Sequence, residues 1–434
     1  MGGSCLPRET TLSVNPMHPF RCLIFALCAV CSLPFARGQE LSWQADPQLV
    51  ERLGQQRPEV NYDEAQVPRY DLPDPLLAAD GSTVQTAADW PRRRAEILEL
   101  FRTHMYGRSP GRPEQLQFQF LEEDLQALEG AATLRRVAVV SRRADREHRF
   151  ELIVFLPNAR TEAVPVFLLL NNRGAENTDP TRQERSGFWP AEEVIARGYG
   201  IAALQVGDLA PDHRERFREG VIQLMEGDRA ARPADAWAAL AAWGWGASRA
   251  MDYFETDPRV DQERIAVVGH SRGGKASLWA GAEDPRFALV ISNNSGCGGA
   301  ALSRRRFGET VHRINTSFPH WFCDNFNAFN DREDALPVDQ HMLVALMAPR
   351  AVYVASADRD LWADPRGEFL SLAHASSVYG LWNHAPIRPE AMPALDQPLV
   401  AGPRGYHVRS GGHNLTPDDW GHFMDLADRL WPAE

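Results

Sequence analysis

The residues with the clearest chemical meaning lie in one stretch, Ile265-Ala-Val-Val-Gly-His-Ser-Arg-Gly-Gly-Lys275. A short apolar run, typical of a buried strand, leads into Gly269-His-Ser271-Arg-Gly273, and a helix-forming sequence follows. In this context the pattern predicts a nucleophile elbow, because the glycines permit a tight turn and the serine projects from its apex. The helix N-terminus would direct N–H groups towards negative charge that develops beside the serine. Ser271 is therefore predicted to be a catalytic nucleophile.

The same segment resembles a phosphate-binding loop, since Gly269 to Lys275 also spells G-x-x-x-x-G-K. Such a loop needs a serine or threonine next to hold magnesium, and the next residue is Ala276. It also normally follows the first strand of its domain. Nucleotide binding is therefore rejected, and no cofactor or metal is expected.

A serine nucleophile needs a base, and the base needs an orienting acid. In chains with this elbow the order is serine, then acid, then histidine. His413 lies in a glycine-rich loop just before the last predicted helix, which favours it as the base over His407 and His422. Two carboxylates, Asp358 and Asp360, follow an apolar strand-like run at 351–355 and are candidates for the acid.

Bulk composition limits the classes of function. The chain has 434 residues, 44% hydrophobic and 24% charged, and a formal net charge of −12. With no basic run longer than 92–94 and 304–306, nucleic acid is not expected as a partner. Lys275 is the only lysine in the chain. An ammonium kept where arginine is used everywhere else indicates a functional role, since the two cations differ in size and geometry.

The N-terminus resembles a signal peptide. An apolar stretch at 22–35 follows His18 and Arg21, and small residues at Ala36 and Gly38 suit cleavage after Gly38. Met17 is the more natural start. We therefore expect residues 1–38 to be a signal peptide, with no membrane span and a secreted or periplasmic mature protein. Four of the six cysteines would be removed, and the two that remain, Cys297 and Cys323, either form a disulfide or are small buried residues.

The order of predicted elements favours one large α/β domain. Residues 39–88, rich in Pro, Asp and Gln, are expected to form an extended N-terminal arm, and residues 89–434 the catalytic domain. From residue 164 onward apolar strands alternate with helices, which predicts a mostly parallel sheet covered on both faces. The predicted strands are 116–120, 135–140, 150–156, 164–170, 201–206, 265–268, 289–292 and 351–355. Helices are predicted from a cap at Asp89 to Gly107, at 234–254, at 275–282 and from near 416.

Two long connections, 207–233 and 296–349, interrupt the alternation. Long ordered loops in a compact domain usually have a function. The second contains Trp321, Phe322 and Phe326, which are either core aromatics or part of a cleft wall. With the elbow, these features predict an α/β-hydrolase fold, a three-layer α/β/α sandwich with the active site at the carboxyl ends of the strands.

Several segments, taken together, resemble the bacterial glucuronoyl esterases, carbohydrate esterase family fifteen. The resemblance extends from about residue 89 to the C-terminus, and its motifs are Gly-His-Ser271-Arg-Gly-Gly-Lys275-Ala, Asn293-Asn-Ser-Gly-Cys-Gly-Gly-Ala, Phe318-Pro-His-Trp-Phe-Cys, Asp360-Leu-Trp362-Ala-Asp-Pro and Gly-Gly-His413.

The resemblance implies roles for individual residues. Arg272 is expected to help hold the oxyanion beside Ser271, while Lys275, Glu309 and Trp362 are expected to bind the sugar. Glu309 lies close to an arginine run and could equally be a solvated ion pair. Many members of the family carry their triad glutamate where this chain has Asn294, and an asparagine cannot stabilise an imidazolium by charge. The acid is therefore assigned to Asp360, with Asp358 in reserve.

The activity implied is cleavage of 4-O-methyl-glucuronoyl esters between xylan and lignin alcohols, through an acyl-enzyme. The partner would be a glucuronate-bearing xylan or a lignin–carbohydrate ester, and the protein is expected to be a monomer. The nearest alternative is another carbohydrate esterase, such as an acetyl xylan esterase. A carbohydrate-binding protein without activity is the alternative from another class, but it would need no elbow aligned with an acid and a histidine.

Overall fold

The computed structural model describes residues 42–229 and 231–432. The predicted signal peptide lies outside the described residues. Within the described ranges, no helix has the length and apolar character needed to cross a membrane.

Ten strands form one sheet, in the order β1-β2-β3-β5-β4-β6-β7-β8-β10-β9. The six neighbouring strands from β5 to β10 in this order are parallel, and the flanking strands are antiparallel. The strands are β1 Gln115–Ala127, β2 Ala132–Arg143, β3 Arg146–Pro157, β4 Val164–Asn171, β5 Gly200–Gln205, β6 Val260–His270, β7 Leu289–Asn293, β8 Ala351–Ala357, β9 Leu399–Ala401 and β10 Arg404–Arg409.

Helices cover both faces of this sheet. They are α1 Pro47–Gln56, α2 Trp90–Phe101, α3 Ala191–Ala196, α4 Val206–Leu209, α5 Val221–Glu226, α6 Ala239–Phe254, α7 Arg272–Glu283, α8 Val311–Ser317, α9 Gln340–Ala345, α10 Pro365–His374, α11 Ser376–Tyr379 and α12 Pro417–Leu430.

The side chains of β4 show how the sheet separates two apolar cores. Val166, Leu168 and Leu170 pack in the larger core with α6 and α7, whereas Phe167 and Leu169 pack in the smaller core with α3 and α12. Because successive side chains of a strand point to opposite faces, a continuous apolar run is required wherever both faces are covered. The predicted α/β-hydrolase architecture, three layers around a mostly parallel sheet, is confirmed.

Some predicted boundaries differ from the structure. The helix predicted from residue 234 begins at Ala239, because the preceding residues pair instead with the segment that follows α2. There Arg108 N donates to Asp235 O, and Arg108 forms a parallel bridge with Ala236. β9 and β10 were not predicted, although β10 is fully buried between β8 and β9. Its sequence, Arg-Gly-Tyr-His-Val-Arg, carries too many polar residues to indicate a central strand.

Residues 42–88 contain a helix that the sequence analysis did not predict. Asp46 caps the N-terminus of α1 by accepting a hydrogen bond from Gln48 N, with Pro47 in the first turn. Leu49 of this helix and Tyr62 beyond it are buried in the larger core. This segment therefore packs against the larger core of the sheet domain.

Candidate active site

Ser271 lies in the sharp turn between β6 and α7. Its backbone has φ 56° and ψ −125°, a conformation that residues other than glycine rarely adopt. Such strained backbone is concentrated at functional sites. The turn requires glycine at position 269, because a Cβ atom there would lie 1.9 Å from Gly273 O. Ser271 N donates to Asn293 O at 2.8 Å, which fixes the turn to the end of β7. The structure therefore has the geometry of a nucleophile elbow.

His413 and Asp360 form a hydrogen-bonded pair beside the elbow. His413 Nδ1 lies 2.6 Å from Asp360 Oδ2. Asp360, which follows β8, is buried, whereas the His413 side chain is 43% exposed. The alternative acid, Asp358, accepts a hydrogen bond from Gly411 N at 2.7 Å and so holds the loop that carries His413. Of the two carboxylates, the one in contact with the imidazole is Asp360.

A second group contacts the same oxygen of Asp360. Asn294 Nδ2 donates to Asp360 Oδ2 at 2.9 Å, and the Asn294 side chain is buried. Asn294 follows β7 directly and has φ 47°. At the position where the resemblance predicts a triad glutamate, this chain thus has an amide that donates to the carboxylate following the neighbouring strand β8.

The candidate site opens into one cavity of about 540 Å³, which we call the ester cleft. All seven residues singled out from the sequence line it, namely Ser271, Arg272, Lys275, Glu309, Asp360, Trp362 and His413. They come from the ends of β6 and β8, from α7, and from the loops before α8 and α12. Since the carboxyl ends of parallel strands meet at one edge of a sheet, this is where a ligand site is expected.

Arg272 is held by an acidic residue that sequence analysis missed. Its guanidinium forms an ion pair with Asp212, which also accepts hydrogen bonds from His320 Nε2 at 2.8 Å and Trp321 Nε1 at 2.7 Å. Burial opposes ionisation of Asp212, but the His320 hydrogen bond, the Arg272 charge and the Trp321 hydrogen bond outweigh it and lower its pKa below the usual range. An ionised Asp212 thereby fixes the guanidinium beside the nucleophile.

The only lysine is buried next to Glu309. Lys275 Nζ donates to Ser295 O and lies 3.8 Å from Glu309 Oε2, and both side chains are almost fully enclosed. Burial raises the pKa of Glu309, an effect that the charge of Lys275 partly offsets. Glu309 N also donates to Trp362 O at 3.0 Å. An ammonium, a carboxylate and an indole therefore meet in one wall of the cleft. Glu309 is part of a buried ion pair and not of a solvated one on the surface.

A buried carboxylate supports the floor of the cleft. Glu368 accepts hydrogen bonds from Ser295 N at 2.7 Å and Gly296 N at 2.9 Å through one oxygen, and from Ser356 Oγ at 2.6 Å through the other. No cation contacts it in the part of the chain that the structure describes. Burial raises the pKa of Glu368 to about 8.

His270, the residue before the nucleophile, has a structural place. Its ring lies 4.5 Å from the His413 ring between centroids, and its Nδ1 lies 2.6 Å from Asn293 Oδ1. Burial and the neighbouring His413 hold the pKa of His270 well below the usual range. A neutral His270 packs against the predicted base without competing with it for a proton.

The aromatic residues of the second long connection divide between the cleft and the core, and the two cysteines are not bonded to each other. Trp321 lines the cleft and donates to Asp212, whereas Phe322 and Phe326 pack together in the core at 4.9 Å between centroids. Cys297 and Cys323 are both free and buried, so they do not form a disulfide.

Sequence analysis missed two contributors to the site, Asp212 and the segment around α1, and it did not predict the hydrogen bond from Asn294 to Asp360. Asp212 lies in the long connection 207–233, whose length was itself a signal of function. The α1 segment places Leu53, Gln56, Arg57 and Tyr62 in the lining of the cleft. No motif marks these four residues, because they reach the site only through packing.

Comparison with known proteins finds similarity to carbohydrate esterases. Residues 232–382 match a family model described as glucuronyl esterase of fungi. The chain is 44% identical to carbohydrate esterase MZ0003 of an unknown prokaryote over 89% of this chain and 94% of that one. It is 30% identical to 4-O-methyl-glucuronoyl methylesterase 1 of Phanerochaete chrysosporium over 71% of this chain and 61% of that one.

The solved structures give the same result. A promiscuous esterase of carbohydrate esterase family fifteen from a marine bacterial metagenome superposes with a TM-score of 0.78 and 44% identity, covering 85% of this chain and 99% of that one. The match covers most of both chains rather than a single motif. The chain belongs to carbohydrate esterase family fifteen, the glucuronoyl esterases.

Proposed function

We propose that the protein is a serine esterase that cleaves glucuronate esters, in particular the 4-O-methyl-glucuronoyl links between xylan and lignin alcohols. The observation that carries the proposal is the position of the His413–Asp360 pair and the strained Ser271 in the same cleft as Lys275, Glu309 and Trp362. The first group can perform acyl transfer, and the second can bind sugar hydroxyls. Family membership supports both assignments.

In the first half-reaction, Ser271 Oγ attacks the carbonyl carbon of the ester while its proton passes to Nε2 of His413. Asp360 accepts the Nδ1–H of His413, holds that tautomer and stabilises the imidazolium that forms. The tetrahedral intermediate collapses when the bond from the carbonyl carbon to the alcohol oxygen breaks. His413 returns its proton to the leaving alcohol, and the acyl-enzyme remains.

In the second half-reaction, water replaces the alcohol. His413 removes a proton from the water as it attacks the acyl carbon, and then protonates Ser271 Oγ as the glucuronate leaves. The negative oxygen of both tetrahedral intermediates would be held by the backbone N–H of Arg272 and by its guanidinium. Arg272 lines the cleft together with Ser271, and its side chain is 33% exposed, which supports this role.

Sugar recognition would come from the opposite wall of the cleft. Lys275 offers a compact donor, and Glu309 an acceptor, and at 3.8 Å from each other the two groups can contact the same sugar ring. Because both groups are already buried and paired, they are fixed before the substrate arrives. Fixed polar groups lose less conformational entropy on binding, which favours affinity.

The direct test compares two substrates with the purified mature enzyme. The proposal predicts hydrolysis of a benzyl glucuronate ester with ordinary enzymatic efficiency and little release of acetate from acetylated xylan. Preference for acetylated xylan would support the acetyl xylan esterase alternative. Binding of glucuronoxylan without turnover of either ester would support a carbohydrate-binding protein.

Lys275 separates recognition of the sugar from the chemistry of the ester. Loss of a charged hydrogen bond costs about 1.5–3 kcal/mol, or roughly ten- to 150-fold in kcat/KM. Lys275→Ala should lose that much on a glucuronate ester and far less on a simple activated acetate. Equal losses on both substrates would assign Lys275 to the catalytic machinery or to the fold.

We also propose that the protein is exported and acts as a monomer, with residues 39–88 as an arm on a catalytic domain of residues 89–434. The apolar stretch at 22–35 with its small-residue cleavage site supports export. A polymeric substrate outside the cell is consistent with it. Sequencing of the N-terminus of secreted protein should give Gln39 as the first residue, and a retained leader would contradict export.

A further inference from the structure

The charge of the ester cleft differs from that of the whole chain. The net charge of the protein is −12, yet five of the residues that line the cleft are cationic and only two are acidic. The cations are Arg57, Arg272, Lys275, Arg313 and Arg359, and the acids are Glu309 and Asp360. An esterified glucuronate has no charge on its carboxyl group. The proposed reaction alone therefore does not require this excess of positive charge.

Two of the five cations have a role in the site already described. Arg272 pairs with Asp212, and Lys275 pairs with Glu309. The other three arginines are exposed. Arg313 has a carboxylate at the limit of an ion pair, Glu59 at 3.9 Å, with both side chains about half exposed. Arg57 and Arg359 form no ion pair in the ranges that the structure describes, so three guanidiniums remain available to a ligand.

Two of these guanidiniums lie on one aromatic side chain of the cleft. Arg57 Cζ is 4.6 Å and Arg313 Cζ 6.0 Å from the centroid of the Trp362 ring. Contact with an aromatic face orients a guanidinium while leaving its N–H groups free to bind an anion. Arg57 comes from the end of α1 and Arg313 from α8, so two separate segments bring like charges together at the same wall.

We propose that Arg57 and Arg313 against Trp362, with Arg359 in the lining of the same cleft, form a second subsite. This subsite binds a free carboxylate on the saccharide that carries the ester. This inference rests on the proposed function and deepens it. The preferred substrate class would be an acidic oligosaccharide with at least two uronates, one esterified at Ser271 and another ionised at the arginines. Planar guanidinium groups match a carboxylate geometrically, which a single lysine would not.

The test measures a ratio between two substrates. One is an oligosaccharide with two glucuronates, of which one is a benzyl ester and the other a free acid. The second has the free acid converted to a neutral amide. The subsite predicts that wild-type kcat/KM is about tenfold higher for the acid than for the amide at low salt. The ratio should fall towards one as salt is raised, because exposed charges are screened.

Variants connect the ratio to individual residues. Arg57→Gln, Arg313→Gln and Arg359→Gln should each lower the ratio by about two- to fivefold, mainly through the KM of the acidic substrate. The triple variant should have a ratio near one. Any effect of a substitution on folding or on the chemical step cancels in this ratio of kcat/KM values, because it acts on both substrates equally. Arg52→Gln, at an exposed position of α1 outside the cleft lining, is the matched control and should keep the wild-type ratio.

The possible outcomes distinguish failure of the subsite from failure of the proposed function. A wild-type ratio of one at low salt overturns the subsite while leaving the proposed function intact. A high ratio that the triple variant and Arg52→Gln reduce equally overturns it as well, since the effect would then be one of overall charge. Failure of the wild-type enzyme on both esters would contradict the proposed function and, with it, the subsite.

Discussion

Two histidines that lie a few residues apart in the sequence, His407 and His413, each pair with an aspartate, and the two pairs have opposite surroundings. In one, His413 Nδ1 contacts Asp360 at 2.6 Å, and the imidazole is 43% exposed to the cleft. In the other, His407 Nε2 contacts Asp419 at 2.8 Å, and both side chains are completely buried. Distance alone does not distinguish these two pairs.

The difference lies in the second ring nitrogen. His407 Nδ1 is 3.0 Å from the hydroxyl of Tyr353, so both of its nitrogens are engaged inside the protein. His413 has no second hydrogen-bond partner in the described ranges and lines the cleft beside Ser271. A general base must be able to exchange a proton with a substrate, which requires one free nitrogen. The first pair can therefore support catalysis, whereas the second can only support the fold.

The largest effect that separates the pairs is expected at His413 and at the predicted nucleophile Ser271. Either Ser271→Ala or His413→Ala should lower kcat/KM on a glucuronate ester by about 10⁴- to 10⁶-fold, because the members of a triad act as a unit. The free energy of unfolding should change by less than about 1 kcal/mol, since neither side chain fills the core. Steady-state kinetics and chemical denaturation measure the two quantities. Residual activity above a trace in Ser271→Ala would refute the nucleophile assignment.

The acid gives the next largest effect. Asp360→Asn should lower kcat/KM by about 10³- to 10⁴-fold, because an amide can still accept the Nδ1–H but cannot stabilise the imidazolium by charge. Asp358→Asn is the matched control, since an asparagine oxygen can still accept from Gly411 N, and it should cost less than about tenfold. If Asp358→Asn is the more damaging change, the acid assignment is wrong.

The buried pair should respond in the opposite manner. Asp419 also pairs with Arg409 at 2.8 Å and accepts from Thr416 at the start of α12. Asp419→Asn would leave the buried Arg409 without its counter-charge, so the free energy of unfolding should fall by about 3–5 kcal/mol. The kcat/KM of the protein that remains folded should stay within about tenfold of wild type. A normal stability with a large loss of activity would reverse the roles of the two pairs.

Much of this contrast was accessible from the sequence. The glycine-rich flanks of His413 distinguished it from His407, and the carboxylates after β8 were correctly placed at the end of a strand. Both inferences depend on local patterns, glycine spacing and a run of apolar residues, that act within about ten residues. The parallel sheet was predictable for the same reason, because each buried strand is a continuous apolar run.

What the sequence did not indicate depends on contacts between distant segments. Asp212 lies sixty residues before its partner Arg272, and nothing in its local sequence distinguishes it from a surface aspartate. Asn294 was recognised as unable to act as the acid, but its hydrogen bond to Asp360 requires β7 and β8 to be neighbours. β10 was missed because its polar residues, including His407 and Arg409, are satisfied by Asp419 in the core rather than by water.

The smallest expected effect concerns Glu368, a buried carboxylate that, unlike Asp419, contacts no cation among the described residues. Burial opposes ionisation at both residues. At Asp419 the hydrogen bond and charge of His407 and the charge of Arg409 outweigh burial and lower the pKa. At Glu368 burial dominates and raises the pKa to about 8. Folded protein should then hold a proton on Glu368 at pH values where the unfolded chain has lost it. Stability from this group is complete below the unfolded pKa of about 4.5 and is lost as pH rises through about 8.

Glu368→Gln isolates this contribution. Glutamine imitates the protonated acid, because its oxygen can accept from Ser295 N and Gly296 N while its amide donates to Ser356 Oγ. Variant and wild type should have similar free energies of unfolding near pH 5, and the variant should become the more stable by on the order of 2–4 kcal/mol near pH 9. Denaturant unfolding across this range measures the difference, with Glu51→Gln on the exposed face of α1 as a control that should show no such trend. A difference that does not change with pH, or one that favours wild type at high pH, would mean that the hydrogen bonds to Glu368 outweigh its burial and that it is ionised in the folded protein.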